Sequence, residues 1–387
     1  LDVFGLTNVE LGAAFAVYGI VAMGAYLVGG PLADRFKAKN LIVVALIATA
    51  LGGLVMASVP QLGTLKALYA YWGVTTIALF WAPLIRATRE WGGEFAQGKA
   101  FGFLDGGRGL ITAFTGSLMV ALFASRLPED VDSATMAQRT EALKQIIMTL
   151  SAMTVAAGVL AFFALHTRGA ARVEAKEGIS IRGIRHLLAM PTVWLQALVI
   201  LCAYVGFKAT DDFSLYAKDV LGLNEVEAAR AGTVSLWMRP IAAVGAGLLA
   251  DRLGAGRLTL ASFALLLLGS AVLSAGMLGA GLLWSFLISI SCASLGIFAL
   301  RGLYYAIMQE GRVPVAFTGS AVGLVSVIGY TPDIFMGPLM GYLLDGAPGA
   351  VGHQRVFAVV AGFAALGLGT SFAFLSRARQ KPQETLS

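Results

Sequence analysis

Charge is scarce in this chain. Of 387 residues only 13% are Asp, Glu, Lys or Arg, whereas 58% are apolar and the mean hydropathy is +0.79. That composition excludes an ordinary water-soluble domain, which needs far more polar surface. Cysteine is nearly missing too: Cys202 and Cys292 both fall inside apolar stretches, which excludes a disulfide framework or thiolate metal ligation. Three histidines, His166, His186 and His353, stand at stretch ends or in connections, too scattered for a metal site. The alternating ten-residue pattern of an outer-membrane barrel is absent as well. So is any nucleophile with its base, or any phosphate-cradling loop, which argues against an enzyme.

What is present is length in the apolar runs. About twenty apolar residues cross a bilayer as a helix. Eleven such spans are legible, at roughly 11–32, 40–58, 67–85, 100–124, 146–166, 191–217, 228–250, 258–279, 282–308, 316–343 and 356–375. The chain is therefore expected to be an all-α polytopic membrane protein. Its net charge of +6 is explained by where the bases lie. Alternate loops, starting with 34–39 and ending with 375–387, carry seventeen Lys and Arg, the opposite loops seven, and four are inside spans. This is the positive-inside asymmetry. It predicts a cytoplasmic C-terminus and leaves no role for nucleic acid.

A repeat organises the spans. Gly30-Pro31-Leu32-Ala33-Asp34-Arg35 closes the first and Gly247-Leu248-Leu249-Ala250-Asp251-Arg252 closes the seventh. Both copies end a helix on the basic side. With these residues the chain resembles the major facilitator superfamily, whose loop between the second and third helices carries this motif, repeated in degenerate form between the eighth and ninth. Lys37 departs from the family pattern, and Gly254 and Arg257 keep it. The stretches Gly98–Gly109 and Gly319–Tyr330 resemble the bacterial sugar-phosphate-permease-like branch.

The resemblance implies two six-helix bundles related by a pseudo-two-fold axis along the membrane normal. Residues 1–166 would form the first bundle, 167–190 a cytoplasmic connector and 191–387 the second. A span precedes the helix of the second copy, but only about ten residues precede that of the first. By symmetry, a first helix is expected that these eleven spans do not include.

Against this apolar background, eight charges inside spans stand out: Asp105, Arg108, Lys208, Asp211, Asp212, Arg239, Arg301 and Asp333. Each costs at least ~2.5 kcal/mol at bilayer depth, so each calls for a partner, water or a function. Counting the absent helix as number one, they fall in helices five, seven, eight, ten and eleven. The resemblance implies that those helices line a central cavity, while three, six, nine and twelve face lipid.

The spacing suggests local roles. Asp105 and Arg108 are three apart and within pairing reach, and Lys208 precedes Asp211 and Asp212 by three and four. A carboxylate left over beside one Lys would have a raised pKa and could carry a proton, so Asp211, Asp212, Asp333 and Asp105 are the proton-coupling candidates. Arg239 precedes Pro240 in mid-span, and Arg301 is followed by Tyr304 and Tyr305 on one face. With Arg108 and Lys208 these make the substrate-binding set, because a guanidinium grips a carboxylate or phosphate bidentately. Asp333 follows Pro332 in a helix-breaking group, Gly329-Tyr330-Thr331-Pro332-Asp333. Static pairing of all these charges remains open beside the transport reading. Asp34 and Arg35, with Asp251 and Arg252, are read as conformational latches, their carboxylates complementing helix N-termini near residues 316 and 100.

Together these readings predict a monomeric secondary transporter in the bacterial inner membrane. It would move a small polar solute, an organic anion, by alternating access, with the proton gradient as driving force and no cofactor. A solute sensor of the same fold, or a transporter of lipid or neutral solute, stays as the alternative.

Overall fold

The computed structural model describes residues 2–81, 83–85, 87–88, 97–128, 130–165, 187–279, 281–313 and 318–379. No strand occurs among them. Ten helices among the described residues are long and apolar enough to cross a membrane. The remaining expected span, 316–343, is broken instead into Thr318–Gly329 and Pro332–Asp345. The cause is local: Pro332 cannot donate the hydrogen bond that would continue a helix, and it starts the second piece, where a donor is not needed.

Two compact units form. The first comprises Leu1–Glu174, Ser214–Thr233 and Asp333–Gly352; the second comprises Ala175–Phe213, Val234–Pro332 and His353–Ser387. Most of the connector expected at 167–190 lies outside the described residues, as do His166 and His186.

The first unit is built on α1 (Asn8–Arg35), α2 (Ala38–Ala57), α3 (Leu62–Gly73), α4 (Gln97–Ala124) and α5 (Met136–Ala164). Thr7 starts α1 with a capping box: the Thr7 hydroxyl accepts from the Glu10 N–H at 3.1 Å, and Glu10 accepts from the Thr7 N–H at 2.9 Å. Thr135 and Gln138 do the same for α5. After α3 the winding loosens into a π-helical segment, Val74–Trp81, a form usually found where function demands irregular backbone. Its polar groups are answered inside the unit. Thr76 donates to the Trp72 carbonyl at 2.6 Å and its hydroxyl lies 3.1 Å from that of Tyr18. The surface of α5 is largely exposed and carries Leu160 and Phe163 outward, the kind of apolar face only lipid tolerates.

In the second unit, α6 (Pro191–Ala209) begins with proline at a position that needs no donor, and a 3-10 turn, Thr210–Asp212, ends it. There follow α7 (Phe213–Asp219), α8 (Glu225–Leu253), α9 (Ala255–Ser274), α10 (Leu283–Leu303), α11 (Ile307–Glu310), α12 (Thr318–Gly329), α13 (Pro332–Asp345) and α14 (Ala350–Arg379). Of these, α7, α13 and the start of α8 belong almost wholly to the first unit. Helix α8 runs on through Pro240. Helices α9 and α10 pack along a seam of small residues: a Cβ on Gly269 would lie 2.7 Å from the Ser289 carbonyl, and one on Gly296 would lie 2.5 Å from that of Ser262. Such seams let backbones approach closely where no hydrophobic drive between helices exists. At one end of α9, the Glu310 carboxylate accepts the Gly256 N–H at 3.1 Å and 3.2 Å, complementing the positive helix terminus.

Candidate functional site

In the second unit the structure brings four of the expected binding residues, Arg239, Arg301, Tyr304 and Tyr305, to one aromatic strip. Phe298, Phe207, Tyr204 and Tyr330 follow one another with ring centroids 6.3, 5.3 and 4.9 Å apart. The Arg301 guanidinium lies 3.9 Å from the Phe207 ring centre and 5.5 Å from that of Tyr204. Arg239 lies 5.9 Å over Phe298. Stacking on ring faces holds a guanidinium flat and leaves its N–H edge for in-plane hydrogen bonds.

Local contacts set this arrangement. Ser294 on α10 donates to Ser235 on α8 at 2.8 Å, and both are buried. One helical turn further on the same helices stand Phe298 and Arg239, so the serine pair registers the ring under the guanidinium. Gln196 on α6 donates to the Tyr304 carbonyl at 2.7 Å, pinning the end of α10, whose last turn holds Arg301 and is followed by Tyr304 and Tyr305. The two tyrosines join a chain of hydroxyls: Tyr304 to Tyr330 at 3.2 Å, Tyr330 to Tyr305 at 2.9 Å and Tyr305 to Ser326 at 2.8 Å. The Gln196 side-chain oxygen is buried without a hydrogen-bond partner among the described residues.

The adjacent carboxylates Asp211 and Asp212 part company in the 3-10 turn. Asp211 stays 55% exposed, 3.5 Å from the Lys208 ammonium. Asp212 turns into the core, where its Oδ2 meets Nδ1 of His353 at 2.8 Å, with 1% and 0% of the two side chains exposed. Beside this pair Phe213 and Phe357 stack with ring centroids 5.8 Å apart.

Of the remaining candidates, Asp251 and Arg252 lie in the second unit and the others in the first. Arg108 on α4 stands 5.1 Å over the ring of Trp81, the last residue of the π-helical segment. Asp333 occupies the first turn of α13, and its backbone runs so close to α1 that a Cβ on Gly19 would lie 2.5 Å from the Asp333 carbonyl. Asp34, Arg35, Asp105 and Asp251 lie in helices, but their side chains are outside the described set; Arg252 is exposed.

Sequence reasoning did not single out His353, Tyr204, Phe207, Phe298, Tyr330 or Gln196. For His353 one signal existed: a carboxylate inside a span needs a partner, and few histidines are available. The aromatic residues gave none, since the chain holds 22 Phe and 10 Tyr and a ring in an apolar run is unremarked.

A model of the Major Facilitator Superfamily matches residues 1–330. The chain belongs to the major facilitator superfamily. It is 28% identical over 388 residues to the inner membrane protein YqcE of Escherichia coli K12, covering 96% of this chain and 86% of that protein. It is 25% identical over 396 residues to the inner membrane protein YihN of the same organism, covering 100% and 91%. Solved structures share the fold at lower identity. The nucleoside transporter NupG matches with a TM-score of 0.66 at 14% identity, covering 98% of this chain and 92% of that one. A bacterial homologue of the human lysosomal transporter Spinster, inward-facing and occupied, matches with 0.69 at 14%, covering 98% and 92%. A variant of the Escherichia coli fucose:proton symporter FucP matches with 0.59 at 17%, covering 97% and 98%. Membership of the superfamily makes this membrane protein a secondary transporter rather than an enzyme.

Proposed function

We propose that this transporter moves a small organic anion, coupled to protons, and that Arg239 and Arg301 grip the anion. The observation that carries the reading is the pair of guanidiniums laid on one aromatic strip beside the hydroxyls of Tyr304, Tyr305 and Tyr330. A charge at bilayer depth is retained where it works. Two guanidiniums beside one aromatic strip suit a carboxylate or phosphate, and neighbouring hydroxyls suit its polar substituents. Lys208 and Arg108 join this set as further cations for the solute's path.

For the proton, Asp211 is the favoured carrier because its carboxylate lies outside the packed core, 3.5 Å from the Lys208 ammonium. Asp212, Asp333 and Asp105 remain as further carriers, Asp212 through its contact with His353. FucP, described as a fucose:proton symporter, has this fold, which supports coupling as compatible with it.

The test is a thermal-shift screen of purified protein against anionic, neutral and cationic metabolites, followed by uptake into proteoliposomes with and without a pH gradient. Stabilisation by anions, lost in Arg239→Ala and Arg301→Ala, is the expected result. Full affinity in both variants overturns the anion grip, and uptake indifferent to the gradient overturns coupling. The hydroxyl chain favours a second reading, a neutral polyhydroxylated solute, which a screen led by neutral compounds would establish.

A further inference from the structure

The end of the first unit opposite the basic loops is closed by an unusual set of contacts. Asp345, the last residue of α13, reaches across 337 positions of sequence to the first turn of α1. Its Oδ1 accepts from the Asn8 N–H at 3.2 Å and the Asn8 side-chain amide at 2.8 Å, and its Oδ2 accepts from the Val9 N–H at 2.8 Å. Below this grip the two helices touch backbone to backbone. A Cβ on Gly341 would lie 2.5 Å from the Asn8 carbonyl, and one on Gly337 would lie 2.9 Å from that of Gly12.

We propose that Asp345 is a positioning residue of the transport cycle: by gripping the N–H groups at the start of α1, it sets how long this end stays closed. The chemistry suits a releasable tie. The first N–H groups of a helix have no intrahelical acceptor and carry its positive terminus, so a carboxylate there is favourable. Asp345 is exposed, so water can replace both partners when the contact opens. The glycine seam beneath brings the two backbones into contact, and the carboxylate adds at its mouth a polar tie that the seam itself does not supply.

A second tie lies at the same end, where Lys218 contacts Asp2 at 3.1 Å and Glu225 at 3.4 Å, and Glu225 pairs with Arg139. Val226 packs there with Leu127, Ala134 and Ala142. This tie keeps the end associated when Asp345 is altered, so loss of the carboxylate should shift the equilibrium rather than abolish closure.

The proposal rests on alternating access, which the superfamily implies, and is independent of the anion and proton readings. Its test therefore needs no substrate. In a chain with Cys202→Ala and Cys292→Ala, Met336→Cys serves as reporter, because Met336 beside the seam is 1% exposed. A membrane-impermeant maleimide is applied to right-side-out vesicles. Asp345→Asn should raise the labelling rate about two- to five-fold, the size expected for a helix-terminus charge, and Asp345→Glu should return it to the parent value. Glu10→Ala, which removes the neighbouring capping box but leaves Asp345 intact, should not change it. Should Asp345→Asn fold poorly, Asn8→Asp replaces the amide donor with a like charge and should raise labelling in the same way. Unchanged labelling in both variants, or an equal rise in Glu10→Ala, overturns the proposal.

Discussion

Nδ1 of His353 lies 2.8 Å from the carboxylate of Asp212, with both side chains sealed from solvent. The two residues are 141 positions apart, so the contact ties the turn after α6 to the start of α14. Removing one member of a buried ionisable pair costs about 3–5 kcal/mol, whereas replacing both by apolar groups is often neutral. His353→Leu alone should therefore destabilise the protein strongly, and the double variant with Asp212→Leu should lose far less than the two single losses added together. Chemical unfolding in detergent of the two single variants and the double variant measures the coupling; simple additivity would show that the pair does not act as a unit.

The aromatic strip makes Arg301 more than a charge. A lysine at this position keeps the charge but cannot stack flat on Phe207 and Tyr204 or present a planar fork. Arg301→Lys is expected to lose at least about ten-fold in solute affinity, the order of one charge-assisted hydrogen bond. Equilibrium binding to the best compound from the screen checks this, and near-parent affinity would reduce the role of Arg301 to bulk electrostatics.

The pH response of the closed end follows from Asp345. Burial pushes its carboxyl up, but the hydrogen bonds from Val9, Asn8 and Thr7 outweigh that, and it lies below its ordinary value of 3.8. A depressed carboxylate contributes fully above its ordinary pKa and loses that contribution as pH falls through the lowered value. Spin labels at Val9→Cys and Tyr342→Cys should therefore keep one separation from about pH 8 to about pH 5, with opening driven by Asp345 only in stronger acid. An opening near neutral pH would require another titrating group.

The Asn8 side-chain amide donates to the Asp345 carboxylate at 2.8 Å, so the side chains at positions 8 and 345 face each other. Asn8→Cys with Asp345→Cys should cross-link under mild oxidation, arrest uptake and recover on reduction. Cross-linking without arrest would mean that this end need not open during transport.

A wedge at the seam should have the opposite effect. Gly341→Val introduces branched bulk where even a Cβ would lie 2.5 Å from the Asn8 carbonyl. Binding is expected to persist while uptake falls, with Met336→Cys labelling raised; normal uptake would disprove a need for tight closure.

Much of the architecture was legible because its causes are local. Apolar length marks spans, clustered bases mark one face, and the break at Tyr330–Thr331 follows from Pro332. The buried charges were also visible, since scarcity makes each conspicuous. Their partners were less so. Spacing puts Lys208 in reach of both Asp211 and Asp212, and it is the 3-10 turn at Thr210–Asp212 that leaves Asp211 with the ammonium and turns Asp212 inward. His353 and Phe298 acquire their roles only through contacts across the fold. Asp345 was overlooked for a different reason: at the polar end of a helix a carboxylate costs nothing and raises no question.

The glycine seam between α1 and α13 also bears on permeability. A gap that cannot take a methyl carbon cannot take a water molecule, which needs about one probe sphere of free volume. Where the two backbones meet, the seam itself offers protons no chain of waters to hop along.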